Sequence, residues 1–370
     1  MAGNALRPDC LVVGGGLLGL LTARALTRAG VKVMLLERRE TGRESSWAGG
    51  GIVSPLVPWE YPDAVSTLVS WSQQHYPVLA RELAEETGID SEWVQSGLLM
   101  VGFAIDEGIE PWAARHHCRL QLLDAAQTKS LEPALADGLP ASILLPDVGQ
   151  VRNPRLCKAL RRSLDRQGIV ILENAPVVEV LAHGGAIRGI RTSAGEYHAE
   201  RVVIAAGAWS ADLLRETGLR LPVSPVRGQM IQFEAHPGFL KHIIFYQSHY
   251  LIPRSDGLVL AGSTLEYTGF DKRITTEARD ELARAATGLV PALSDCALAR
   301  QWAGLRPGSP DGVPFIGEHP RIKGLFVNTG HFRNGVVMAP ASVQVLLERM
   351  GMLPAFTDPA PYAIDKYAEP

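Results

Sequence analysis

Cysteine is scarce in this chain. Its 370 residues contain four, Cys10, Cys118, Cys157 and Cys296, with no C-x-x-C spacing. That excludes a disulfide scaffold and a paired-cysteine zinc site, and makes a reduced, cytoplasmic setting the expectation. An excess of charge of one sign is also missing: 36 basic against 39 acidic residues leave a net charge of −3. Nothing here argues for nucleic acid or an anionic membrane surface as partner. No stretch of 18 or more residues is continuously apolar, so no membrane span is expected, and Met1–Pro8 is too short and polar for a secretory signal. Internal repeats and low-complexity segments are absent as well. What remains is an ordinary globular balance, 46% hydrophobic and 20% charged, long enough for two domains. The partner this points to is a small molecule.

The stretch that organises the rest is Asp9–Arg38, DCLVVGGGLLGLLTARALTRAGVKVMLLER. Cys10–Val13 is a short apolar run that suits a buried strand. Gly14, Gly16 and Gly19 follow in G-x-G-x-x-G spacing. A helical pattern (Leu17, Leu20, Leu21, Ala25, Leu26) then runs to Gly30, and Val31–Leu36 forms a second strand ending on Glu37. This is a dinucleotide fingerprint in its required strand–helix–strand setting. Gly14 allows the tight turn, Gly16 lets backbone approach a pyrophosphate at the helix N-terminus, and Gly19 lets helix and strand pack closely. Glu37 is placed to accept hydrogen bonds from a ribose diol.

The run Ser45-Ser46-Trp47-Ala48-Gly49-Gly50-Gly51-Ile52 follows a polar loop. So many small residues near the fingerprint suit backbone lying against a large planar group, as a flavin requires and a nicotinamide does not. Ala64–Thr87 reads as an amphipathic helix. Trp93–Phe103, Leu120–Leu123 and Ile143–Leu145 carry strand-like runs. Asp124–Glu132 reads as a short helix opened by a capping box, Asp124 to Gln127. Asn153–Gln167 reads as a helix with Asn153 as N-cap. Val202–Ala206 is apolar without alternation, a strand buried on both faces, and it ends at Ala206-Gly207-Ala208-Trp209. Val226–Glu234 and His249–Thr264 read as antiparallel strands with a turn at Asp256-Gly257, and Thr275–Leu289 as a helix. Leu325–Thr329 is a further buried strand leading into Gly330–Val337 and a helix through Met350. The fold expected is α/β: a discontinuous Rossmann-type domain from residues 1–81, 146–217 and 302–370, with 82–145 and 218–301 forming a mostly antiparallel substrate domain with flanking helices.

These segments resemble the FAD-dependent amino acid oxidases of the D-amino acid oxidase and sarcosine oxidase group, and within it the bacterial glycine oxidases that serve thiamine biosynthesis. The motifs that carry the resemblance are VVGGGLLGL with LLER, SSWAGGGI, VVIAAGAWS, HYLIPRSDGLVLAGST, QWAGLRPGSPDGVPFIG and GHFRNGVVMAP. The resemblance implies that Leu17 and Leu18 lie in the phosphate turn, with Glu37 and Arg38 at the adenosine ribose. It implies Ser45, Ser46, Gly50, Gly51 and Ile52 along the pyrophosphate and flavin, and Val177 at the adenine. Ala206, Gly207 and Trp209 form a second place where backbone approaches the cofactor. His331, Phe332, Arg333, Asn334, Gly335, Val336 and Val337 fall at the flavin's pyrimidine edge. The family's substrate arginine falls on Arg306 and its active-site tyrosine on Tyr250. A relative's methionine near the substrate falls on Leu265.

Oxidising an amino acid with flavin moves a hydride from the α-carbon to N5, which needs a neutral amine and a rigidly held α-carbon. A guanidinium gripping the carboxylate with two parallel bonds supplies that hold. Arg306 precedes Pro307, which favours extended backbone; its other reading is a structural ion pair. Tyr250 reads equally as a carboxylate partner or a strand aromatic, and Arg333 as an attractor of anionic substrate or a partner of a nearby carboxylate. His249 reads as a surface histidine. The helix N-terminus at Asn334–Val337 would stabilise negative charge on reduced flavin without an ionisable side chain. No metal and no protein base is expected. Relatives that bind flavin covalently use a cysteine in the C-terminal region or a histidine near the Ser45–Gly51 loop; this chain has no cysteine after Cys296, and its first histidine is His75. The resemblance therefore implies noncovalent FAD, glycine, sarcosine and small D-amino acids as substrates, oxygen as acceptor, hydrogen peroxide as product, thiazole formation as the use of the imine, and a homotetramer. A dehydrogenase using another acceptor is the alternative.

Overall fold

The structure is a computed structural model and describes residues 8–103 and 107–368. Its first half-fold is a six-stranded sheet in the order Phe315–Glu318, Leu325–Thr329, Arg201–Ile204, Cys10–Val13, Val33–Leu36, Val170–Leu172. All neighbours pair in parallel except Phe315–Glu318, which runs antiparallel to Leu325–Thr329. Cys10–Val13 and Leu325–Thr329 are buried on both faces, which is why they read as unbroken apolar runs. Cys10 is a packed apolar side chain there, and burial pushes its thiol up to about 12.

Helices Leu17–Arg28, Asp63–Thr87, Asn153–Arg166 and Gly335–Arg349 cover one face of this sheet around Leu20, Leu68, Leu160 and Leu346. A three-stranded antiparallel sheet, Val177–His183, Ala186–Thr192 and Gly195–His198, covers the other face through Ile187 and Ile190.

An eight-stranded sheet forms the second layer. Its order is Ala297–Gly308, Ser224–Glu234, Leu258–Gly262, His249–Pro253, Ile243–Tyr246, Leu98–Val101, Ser142–Leu145, Gln121–Leu123. Every pair is antiparallel except Ile243–Tyr246 with Leu98–Val101. The helix Thr276–Leu289 packs on it through Leu282 and Ala286. The capping box at Asp124 and Gln127 is formed on both sides.

Three local expectations need correction. The strand Ala297–Gly308 pairs with Ser224–Glu234 along its length, so residues 302–308, placed in the Rossmann segment by sequence, belong to the antiparallel sheet. The helix Asp63–Thr87 runs through the boundary expected at 81/82. Asn153 is the first helical residue rather than the cap, because its amide reaches out to the Gly49 carbonyl at 3.0 Å instead of back to its own helix.

Candidate active site

The glycines of the fingerprint act through space they leave empty. Gly14 has φ +110°, and a Cβ there would overlap the Ala205 carbonyl; a Cβ on Gly19 would overlap the carbonyl of Gly14. The turn therefore brings the Leu17–Arg28 helix start against the ends of two parallel strands, where ligands bind in such sheets. Two side chains fix it. Ser46 Oγ accepts from the Leu17 amide at 2.8 Å. Buried Glu37 accepts from the Gly15 amide at 2.7 Å through one oxygen and from the Arg39 amide at 3.0 Å through the other.

A cleft of about 310 Å³ starts at this turn. Its walls include Gly14, Gly16, Leu17, Leu18, Glu37, Arg38, Ser45, Ser46, Val177, Ala206, Gly207, Trp209, His331, Phe332, Arg333, Gly335 and Val336, all anticipated from sequence. At one end Arg38 lies 3.7 Å over the Trp209 ring and bonds Glu44 at 3.3 Å. At the other end is the start of the helix Gly335–Arg349, whose first turn has no side-chain cap. His331 is buried there; its Nε2 sits 2.9 Å from Ser342 Oγ, and burial pushes its pKa down to about 3.

A second, smaller cavity of about 80 Å³ adjoins the first and shares Gly49, Arg306, Arg333 and Val336 with it. Gly50, Gly51, Ile52, Tyr250, Ser263 and Asn334 complete much of its wall. Tyr250 is 7% exposed. Its hydroxyl lies 3.8 Å from the Met230 sulfur and also bonds the Arg306 guanidinium. The ring fits because residue 262, opposite it in register, is glycine.

Arg306 projects from Ala297–Gly308 into the junction of the two cavities. Gly228, on the neighbouring strand, makes its room: a Cβ there would collide with the guanidinium. Its bonds go to the Arg227 carbonyl at 3.4 Å, the Thr264 carbonyl at 3.1 Å and Ser263 Oγ at 2.7 Å, none of them a carboxylate. The structural ion pair considered for Arg306 is thus not its arrangement. Burial lowers its pKa and the Arg333 charge adds to that, while the bonded Tyr250 hydroxyl and the nearby Glu266 charge oppose it. An arginine remains a cation all the same.

Some anticipated residues lie elsewhere. Leu265 is 45% exposed and lines neither cavity; it sits on the loop beyond Thr264, outside the pocket that Arg306 faces. Val337 is 1% exposed and packs into the core one residue past the cavity wall. Gly19 packs behind the turn. His249 pairs with Glu281 at 3.3 Å at the surface.

Sequence reading overlooked two residues. Asn328 lines the large cleft, is 1% exposed, and neither atom of its amide has a partner. Its signal was available: one amide in the strand Leu325–Thr329, which is otherwise apolar up to its terminal threonine. Arg254, 7% exposed, donates to Gln150 at 2.8 Å, Val151 at 3.1 Å and the Gly50 carbonyl at 2.7 Å, so it holds the glycine loop.

The cleft tests what it is shaped for. Buried polar atoms are normally satisfied. Here Asn328 Oδ1 and Nδ2, Arg38 Nε and Asn334 Nδ2 are buried without partners and belong to residues of these walls. Together with the glycine turn, the ribose-side Glu37 and the uncapped helix start, they fit a ligand that is long, polar and anionic at its middle. Fold and cleft define a dinucleotide-dependent oxidoreductase of two-layer construction.

Comparison with known proteins narrows this. The family model described as DAO, FAD dependent oxidoreductase, matches residues 9–349. The chain is 46% identical over 354 residues to a glycine oxidase of Pseudomonas aeruginosa, covering 95% of this chain and 97% of that one. It is 44% identical over the same length to a glycine oxidase of Pseudomonas putida, with the same coverage. The crystal structure of glycine oxidase from Geobacillus kaustophilus superposes with a TM-score of 0.90 at 30% identity, covering 98% of this chain and all of that one. The chain belongs to the DAO family of FAD-dependent oxidoreductases; it is an enzyme, and its cofactor is FAD.

Proposed function

We propose that the protein oxidises glycine and other small amines, sarcosine and small D-amino acids among them. Oxygen is the electron acceptor. The products are the imino acid, which hydrolyses to keto acid and ammonia, and hydrogen peroxide. The observation that carries this reading is the small cavity: a guanidinium with no carboxylate among its hydrogen-bond partners, bonded to a tyrosine hydroxyl, opening on the cofactor cleft. The names of the relatives support it.

Bound FAD supplies the hydride acceptor, N5. Arg306 grips the substrate carboxylate, and Tyr250 adds a hydroxyl to it. A cavity of about 80 Å³ favours amines with little or no side chain. Among the described residues its wall contains no histidine, lysine, aspartate or glutamate. The amine therefore enters neutral or loses its proton to water, and no protein base acts on it. Arg333, exposed at the shared wall, draws the anionic substrate in. Among the described residues the one histidine lining the cleft, His331, is engaged with Ser342, and no cysteine lines it, which supports noncovalent FAD. The helix start at Gly335 offers amides to negative charge. Among the described residues no helix is long and apolar enough to cross a membrane. We take the enzyme to act in the cytoplasm as a homotetramer, its imine feeding thiazole formation in thiamine biosynthesis.

The test is anaerobic mixing of the yellow holoenzyme with glycine, followed by air. Bleaching of the flavin band and rapid recovery with peroxide is the expected result. Bleaching without recovery would make the enzyme a dehydrogenase with another acceptor. No bleaching with any small amine would overturn the assignment of the cavity.

A further inference from the structure

A free guanidinium half-buried beside carboxylates usually captures one of them. Glu266 is the candidate captor here, because it follows directly in the chain from Thr264 and Leu265, and Arg306 bonds the Thr264 carbonyl. Glu266 is instead fully engaged elsewhere. Its Oε2 accepts from Arg227 Nε at 3.0 Å and from Arg227 Nη2. Its Oε1 accepts from Gln229 Nε2 at 2.9 Å and from Thr264 Oγ1. Burial would raise this carboxyl, yet these bonds hold it below its ordinary value, so it is an anion. The backbones lock the pair in place: Arg227 N donates to Glu266 O at 2.8 Å, and Glu266 N to Arg227 O at 2.9 Å. The Arg227 side chain is 7% exposed and also reaches Asp271 at 3.3 Å. The same Arg227 carbonyl that accepts from Glu266 also accepts from Arg306 at 3.4 Å.

We infer that Arg227 is a positioning residue for substrate recognition: by engaging Glu266 in its own ion pair, it keeps that carboxylate from bonding the neighbouring Arg306, whose guanidinium stays available to a substrate carboxylate. This rests on Arg306 being the carboxylate ligand. Arg227 itself lines neither cavity.

The experiment uses FAD-loaded enzyme and titrates glycolate, a carboxylate that lacks the amine, following the perturbation of the flavin spectrum, with steady-state glycine kinetics alongside. R227M should weaken glycolate and raise KM for glycine by about tenfold or more while kcat stays within about threefold, since charge-pair losses of this kind act on binding. R227M/E266Q should recover most of the lost affinity, and R227K should lie between R227M and the unmodified enzyme. E266Q alone should bind glycolate as tightly as the unmodified enzyme or more so, a readout that survives even if R227M does not fold. The inference is overturned if R227M weakens glycolate and the added E266Q restores nothing, or if E266Q alone weakens it. R306M is the control: if it leaves glycolate binding unchanged, the fault lies with the reading of Arg306. If it abolishes binding while R227M has no effect, the fault lies with the inference about Arg227.

Discussion

The two sheets build their sites by opposite means. The six-stranded sheet makes its cleft with backbone: glycine turns, helix starts and strand ends, with Glu37, Ser46 and Asn328 as the few side chains placed by it. The eight-stranded sheet makes its cavity with side chains carried on strands far apart in sequence, Tyr250 from His249–Pro253 and Arg306 from Ala297–Gly308. A long anionic cofactor suits the first, because amides and dipoles grip phosphate without regard to side chain. A small carboxylate suits the second, because one oriented guanidinium both binds and selects. Changes in the first region should therefore act through FAD and stability, and changes in the second through substrate.

The largest effect is expected in the first region. Gly14→Val puts a branched side chain at φ +110° against the Ala205 carbonyl, with a cost of at least about 3 kcal/mol. The protein should be purified colourless or insoluble; a yellow, stable G14V protein would break the comparison.

A smaller effect at any one pH belongs to His331, whose burial pushes its pKa down to about 3 from the ordinary histidine value of 6.5. Between those values the unfolded chain binds the extra proton. Stability is full above about pH 6.5 and falls as pH drops toward 3, by at most about 1.4 kcal/mol per unit from this group. H331Q should flatten that acid limb of the urea midpoint. An unchanged slope would remove His331 from the account.

The smallest effect is Tyr250→Phe. The hydroxyl bonds Arg306 and lies 3.8 Å from the Met230 sulfur, so thermal stability should fall by no more than about 1.5 kcal/mol, while glycine binding weakens by about tenfold, the worth of one hydrogen bond to a charged group. Lost stability with unchanged binding would make Tyr250 a structural aromatic.

The same contrast governs what the sequence made legible. Backbone devices leave local marks, so the glycine turns, Glu37 and the small-residue run could be read from spacing, while the resemblance supplied the residue assignments at Arg38, Val177 and His331–Val337. The antiparallel region leaves weaker ones. Ala297–Gly308 was not read as a strand, because its first four residues are exposed and its inner half carries Gly304, Arg306 and Pro307. Tyr250 could not be told from packing, since its burial depends on Gly262 across the ladder. Leu265 was placed by resemblance and lies outside the cavity, on the far side of Thr264. Arg254 is a buried polar group whose meaning depends on partners distant in the chain, and that of Asn328 depends on the cleft that residues distant in the chain build around it.

The most direct test of the central claim, that one sheet holds cofactor and the other holds carboxylate, is a pair of titrations on R306M: FAD into the apoprotein, and glycine into the anaerobic holoprotein. The account predicts unchanged FAD affinity and a half-saturating glycine concentration raised by about a hundredfold or more, the size of a lost buried charge pair, with methylamine affected far less than glycine. FAD release from R306M, or glycine saturation at its original concentration, would contradict it.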